Sequence, residues 1–119
     1  MSDQKTILVI DDDKNIRELL TLEFTDLGYA VQTAENGFNG IQMLKENTVH
    51  LIILDIKMPG MDGIEALEKI MSISRDMPVI IHSAYSHYKE NYLTWSALAY
   101  VVKSGNLDEL KSTVTNLLN

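Results

Sequence analysis

Ile7-Leu8-Val9-Ile10-Asp11-Asp12-Asp13 is an apolar run that stops on three consecutive carboxylates. A strand that is apolar at every position, rather than at alternate ones, is buried on both faces, as in a parallel sheet covered by helices. The pattern returns at His50 to Leu54, closed by Asp55; at Val79 to His82 after Pro78, closed by Ser83; and at Ala99 to Val102, closed by Lys103. Tyr29 to Thr33 reads as one more strand.

Helical spacing fills the intervals. Ile16, Leu19, Leu20, Phe24 and Leu27 share a face, and Gly28 ends that helix. Phe38, Ile41 and Leu44 predict a helix over 37–47. Asp62 and Glu65 have the spacing of a capping box before Ile64, Leu67, Ile70 and Met71. Ser86 can open a helix running to Trp95, and Asn106 with Glu109 can open a last one carrying Leu107, Leu110, Val114 and Leu117. Five strand–helix units in alternation predict the α/β class: a doubly wound five-stranded parallel sheet with helices on both faces. The expected strand order is the flavodoxin-like 2-1-3-4-5.

The 119 residues are enough for one domain, expected over 1–119 with no output domain after the last helix. Without cysteine there is no disulfide framework and no thiolate ligand. Ten Lys and Arg against 17 Asp and Glu give a net charge of −7, and no basic run stands out, so nucleic acid is not an expected partner. No apolar run approaches the roughly 20 residues of a membrane span, and Met1 to Thr6 is polar, unlike a secretion signal. The expected location is the cytoplasm.

In a doubly wound sheet the functional crevice lies at the carboxyl ends of the strands. Those ends carry Asp11, Asp12, Asp13, Asp55, Ser83 and Lys103. The triplet alone reads equally well as a solvated loop whose last member caps the first helix. Asp55 changes the balance, because converging carboxylates repel and need a proton or a cation. Ligands that are all oxygen favour a hard ion, Mg²⁺ over Zn²⁺. Lys103 alone reads as a surface lysine; facing carboxylates, it can ion-pair and hold phosphoryl oxygens. Ser83 draws its meaning from these neighbours. His50, His82 and His87 lack ligand spacing, and Met58 and Met61 read as packing residues.

This order of residues resembles the receiver domain of bacterial two-component response regulators. DIKMPGMDG, Asp55 to Gly63, is similar to that family's D-x-x-M-P-x-M-D-G signature at every fixed position, and the likeness runs over roughly residues 5 to 118. The resemblance implies a phosphorylation-dependent switch with Asp55 as phosphoacceptor. It implies Mg²⁺, with Mn²⁺ able to substitute, held by Asp12 and Asp55, by Asp11 through water, and by the backbone carbonyl of Lys57. It implies that Ser83 and Lys103 contact the phosphoryl group and that Tyr100 changes rotamer on activation. The implied donor is a sensor histidine kinase or phosphotransfer protein. The implied readout, by a downstream protein target, is the surface formed by residues 86–95, 99–102 and the last helix. Turnover of external substrates is not implied.

The chain departs from the pattern at Ser104, where most receivers have proline, often with a cis peptide bond. A cis bond before a non-proline residue costs about 2.5–4 kcal/mol, so Lys103–Ser104 is expected to be trans. Lys57 and Tyr85, two residues after Asp55 and Ser83, either point to solvent or flank the path of hydrolytic water and tune the acyl-phosphate lifetime. Tyr85, Tyr88, Tyr92 and Trp95 are spaced as one helical face, either buried or exposed for docking. Asp11-x-Asp13 also resembles the motif of haloacid-dehalogenase-type phosphatases, but Asn15 stands where that family has Thr or Val. A flavin carrier on this fold would want Gly, Ser or Thr after the first strand, where three aspartates stand.

Overall fold

The computed structural model describes residues 4–56, 63–84 and 97–119. They form β1 (Thr6–Ile10), α1 (Lys14–Asp26), β2 (Ala30–Ala34), α2 (Gly37–Glu46), β3 (Leu51–Leu54), α3 (Gly63–Ile73), β4 (Val79–Ser83), β5 (Ala99–Val102) and α4 (Asp108–Leu118). All five strands are parallel in the order β2-β1-β3-β4-β5, as the alternation predicts. The helix expected over 86–95, the proposed cap Asp62, Met58, Met61, His87 and the aromatic face Tyr85, Tyr88, Tyr92 and Trp95 lie outside the described residues.

The unbroken apolar strands divide their side chains between two cores. Leu8, Ile10, Ile52, Leu54, Val79 and Ile81 face α2 and α3, meeting Ile41, Leu44, Leu67 and Ile70. Ile7, Val9, Leu51, Ile53 and Ile80 face the other way, with Leu20 and Phe24 of α1 and Leu110 and Val114 of α4. A Lys111–Glu23 ion pair ties α4 to α1 across this second layer. The central strands are thus clamped from both sides, and their carboxyl ends become fixed platforms.

Hydrogen bonds set the element ends. Asp13 Oδ1 accepts the Asn15 and Ile16 N–H groups, capping α1. Gly28 follows α1 with φ of 98°, the left-handed region that favours glycine. Asn36 Oδ1 accepts the Asn39 N–H and opens α2 where expected. Several boundaries differ from the apolar pattern. β2 takes in Ala34, which registers with Ile10, and leaves out Tyr29. β3 starts at Leu51, while the His50 ring accepts the Thr6 N–H through Nδ1 at 2.9 Å. β4 extends to Ser83. At the last helix the expected Asn106–Glu109 capping pair gives way to a turn in which Asn106 Oδ1 accepts the Asp108 N–H; Leu107 is the N-cap, without a side-chain cap bond, and α4 begins at Asp108. No described peptide bond is cis, so Lys103–Ser104 is trans as expected.

Gly63 brings α3 against the chain just after Asp55. Its N–H donates to the Ile56 carbonyl at 3.1 Å, and a Cβ there would overlap the Ile56 Cα and lie 2.8 Å from its Cβ. The obstacle includes backbone, which cannot rotate away. Gly63→Ala is therefore expected to destabilise the domain by roughly 1–3 kcal/mol. Urea unfolding measures this; a midpoint unchanged from wild type would mean that the two segments do not meet so closely.

Candidate functional site

The sheet ladder runs one rung past the strands at its carboxyl edge. Asp11 N–H donates to Ala34 O at 3.1 Å, Asp55 N–H to Ile10 O at 2.9 Å, and Lys103 N–H to Ser83 O at 2.6 Å. Site residues are therefore held by the same hydrogen bonds that hold the sheet.

These rungs bring Asp11, Asp12 and Asp55 together, each offering a carboxylate oxygen within 4.8 Å of the others. Asp11 and Asp55 are only 2% and 5% exposed, whereas Asp12 opens to solvent. The Lys103 ammonium reaches over both buried carboxylates, 2.9 Å from Asp11 Oδ2 and 3.4 Å from Asp55 Oδ2. Asp11 Oδ1 in turn accepts the Asp13 N–H at 2.9 Å. Burial opposes the charge on Lys103. The Asp11 hydrogen bond and the nearby carboxylates outweigh it and hold its pKa above the ordinary lysine value.

One ammonium among three carboxylates leaves the cluster formally anionic. The donor set is all oxygen, with no described His or Cys in it, and suits a hard divalent cation. Asp11 already spends both oxygens on protein donors, so Asp12 is the carboxylate most open to a direct bond with an ion.

Ser83 is fully buried at the end of β4, beside Lys103 through the backbone rung. Tyr100 registers with Ile81 and is buried in the core that faces α2 and α3. Lys57 and Tyr85 lie outside the described residues. Two groups near the site escape a reading of motifs. His82 is buried, and its Nδ1 has no hydrogen-bond partner among the described residues. Burial and the Lys103 charge push its pKa down to about 4. Arg17 of α1 donates from Nη1 to the Asp11 carbonyl at 2.8 Å. Its position four residues after the cap Asp13 is the only sequence signal, and a weak one.

With this geometry in view, comparisons with known proteins agree. Residues 7–115 match the family model for the response regulator receiver domain. The chain is similar to sporulation initiation phosphotransferase F of Bacillus subtilis, 34% identical over 114 residues, covering 94% of this chain and 92% of that protein. It is also 34% identical to the regulatory protein AtoC of Escherichia coli, over 94% of this chain but only 25% of AtoC. It spans 27% of the transcriptional regulatory protein ZraR of Klebsiella oxytoca. Among solved structures it resembles the response regulator TrrA of Thermotoga maritima in complex with Mg²⁺-BeF. That match has 46% identity and a TM-score of 0.91, covering 96% of this chain and 99% of TrrA. TrrA in complex with the histidine kinase ThkA matches with 46% identity and a TM-score of 0.89, over 98% of this chain and 100% of TrrA. Fold, strand-end residues and the match over most of its length agree that this chain belongs to the response regulator receiver domain family.

Proposed function

We propose that this domain is a phosphorylation-dependent signalling switch that takes a phosphoryl group on Asp55 from a phosphohistidine on a histidine kinase or phosphotransfer protein. The observation that carries this reading is Lys103 spanning buried Asp11 and Asp55 while Asp12 stays open to solvent. TrrA, captured both with Mg²⁺-BeF and with a histidine kinase, supports the same ion and the same kind of partner here.

An Asp55 carboxylate oxygen attacks phosphorus in line. The P–N bond to the donor imidazole breaks, the imidazole keeps the electron pair, and the new P–O bond makes an acyl phosphate. A carboxylate approaching an anionic phosphoryl group is repelled, so positioning and charge neutralisation are the protein's main contributions. Lys103, held in place by Asp11, offers a proton donor to a phosphoryl oxygen. A bound Mg²⁺, or Mn²⁺ in its place, would neutralise charge on the phosphoryl oxygens; Asp12, Asp55, Asp11 through water and the Lys57 carbonyl would hold it. The reaction labels the domain once and hydrolyses that label, with no turnover of other substrates.

The Ser83 hydroxyl moves toward the new anion, and Tyr100 fills the space behind it. The surface around β5 and α4 then carries the signal to a protein target. Leu98, Val102 and Leu117 lie exposed in this region, which supports an apolar partner there. Lys57 and Tyr85 are assigned, on sequence position alone, to tuning the acyl-phosphate lifetime. The setting is the cytoplasm, where nucleotide-charged kinases work; among the described residues no helix is long and apolar enough to cross a membrane.

Incubation with acetyl phosphate tests the reading. With Mg²⁺, intact mass is expected to rise by one phosphoryl group per chain, and EDTA should abolish the shift. A shift that persists in EDTA would overturn the dependence on the ion, and no shift under either condition would overturn the function.

A further inference from the structure

Asp11 is tied down at every polar atom it has. Its N–H donates to Ala34 O, its Oδ1 accepts the Asp13 N–H, its Oδ2 faces Lys103, and its carbonyl accepts from Arg17 Nη1. Lys103 serves the reaction, the first bond is a sheet rung and the second is local. Arg17 comes from the second turn of α1, where its own N–H donates to Asp13 O at 3.0 Å and its carbonyl accepts from Thr21 Oγ1 at 2.7 Å. The guanidinium thus folds back from an anchored helix onto one peptide group.

That peptide joins Asp11 to Asp12. Because a peptide unit is planar, holding its oxygen restrains the plane that also carries the Asp12 nitrogen and Cα, and the Asp13 N–H held by Asp11 Oδ1 restrains the chain on the other side of Asp12. Asp12 is the exposed member of the acidic cluster. We propose that Arg17 is a positioning residue that orients Asp12 for the divalent ion by holding the Asp11 carbonyl. The proposal rests on the Mg²⁺ site of the preceding section.

Arg17 also brings a positive charge near the cluster, which makes the sign of the effect diagnostic. Removing a cation should tighten Mg²⁺ binding if charge is its only influence. Removing a positioning bond should weaken it. Arg17→Met keeps the aliphatic stem and loses the donor; Arg17→Lys keeps the charge and a shorter-reaching donor. Titration calorimetry with Mg²⁺ alone is expected to show Kd rising about tenfold in Arg17→Met, the scale of one charge-assisted hydrogen bond, with partial recovery in Arg17→Lys. In acetyl phosphate reactions the same factor should appear in the half-saturating Mg²⁺ concentration rather than in the plateau rate. An unchanged or tighter Kd in Arg17→Met overturns the proposal. If wild type binds no Mg²⁺, the site reading itself fails, and amide exchange at Asp13 in metal-free protein decides Arg17 separately. Faster exchange in Arg17→Met supports the anchor, and equal exchange overturns it.

Discussion

Lys103→Met is expected to take up phosphoryl from acetyl phosphate about 10²–10³-fold more slowly than wild type, the usual cost of removing one preorganised donor from a developing anion. The same change leaves Asp11 and Asp55 buried side by side without their shared ammonium. Breaking a buried pair by removing one partner costs about 3–5 kcal/mol, so the variant should also unfold at lower urea in metal-free buffer. Adding Mg²⁺ should recover much of that stability, because a divalent ion replaces the missing charge. It should not restore the rate, because the donor to the phosphoryl oxygen is still absent. The two readouts therefore separate the structural role of Lys103 from its chemical one. A variant that reacts at the wild-type rate would remove Lys103 from the mechanism. One that reacts slowly with unaltered stability would mean that the ion pair matters only in the phosphorylated state.

The second large effect follows from His82. Its pKa is pushed down to about 4 in the folded chain, first by burial and then by the Lys103 charge, against about 6.5 unfolded. The unfolded chain therefore binds the proton at higher pH than the folded one. Stability from this group is complete above about pH 6.5 and falls as pH drops toward 4. The full loss is about 3 kcal/mol, and about 2 kcal/mol of it is already felt at pH 5. His82→Leu removes both the titration and an Nδ1 that has no hydrogen-bond partner among the described residues. Urea unfolding should find the variant gaining on wild type by about 2 kcal/mol between pH 7.5 and pH 5. Parallel stability curves for the two proteins would show that His82 titrates as an ordinary surface histidine.

Much of this could be read from residues alone because parallel sheets write their burial into the chain. Ile7 to Ile10 and Leu51 to Leu54 are apolar at every position, and the structure buries both faces of each. Once the strands are placed, their carboxyl ends are known, and so are Asp11, Asp55, Ser83 and Lys103. Element ends were less legible, since single hydrogen bonds decide them. Ala34 belongs to β2 through its pairing with Ile10, and Asn106 makes a turn onto the Asp108 N–H just ahead of α4, leaving Leu107 as the N-cap. Neither bond leaves a mark in the apolar pattern. Arg17 was invisible for a related reason. An arginine on an amphipathic helix normally faces solvent, and only coordinates reveal that this one turns back to a carbonyl. His82 shows the opposite limit: its burial on β4 is readable, but the lack of an Nδ1 partner among the described residues and the influence of Lys103 depend on three-dimensional neighbours.

Whether Asp55 receives the phosphoryl group is the claim on which the rest stands. Acetyl phosphate and Mg²⁺ can charge the domain, and borohydride then reduces an aspartyl phosphate to homoserine, which tandem mass spectrometry places in the chain. Homoserine is expected at position 55 and nowhere else, with no conversion in Asp55→Asn. Conversion at Asp11 or Asp12 in the wild-type chain, or unchanged labelling of Asp55→Asn, would contradict it.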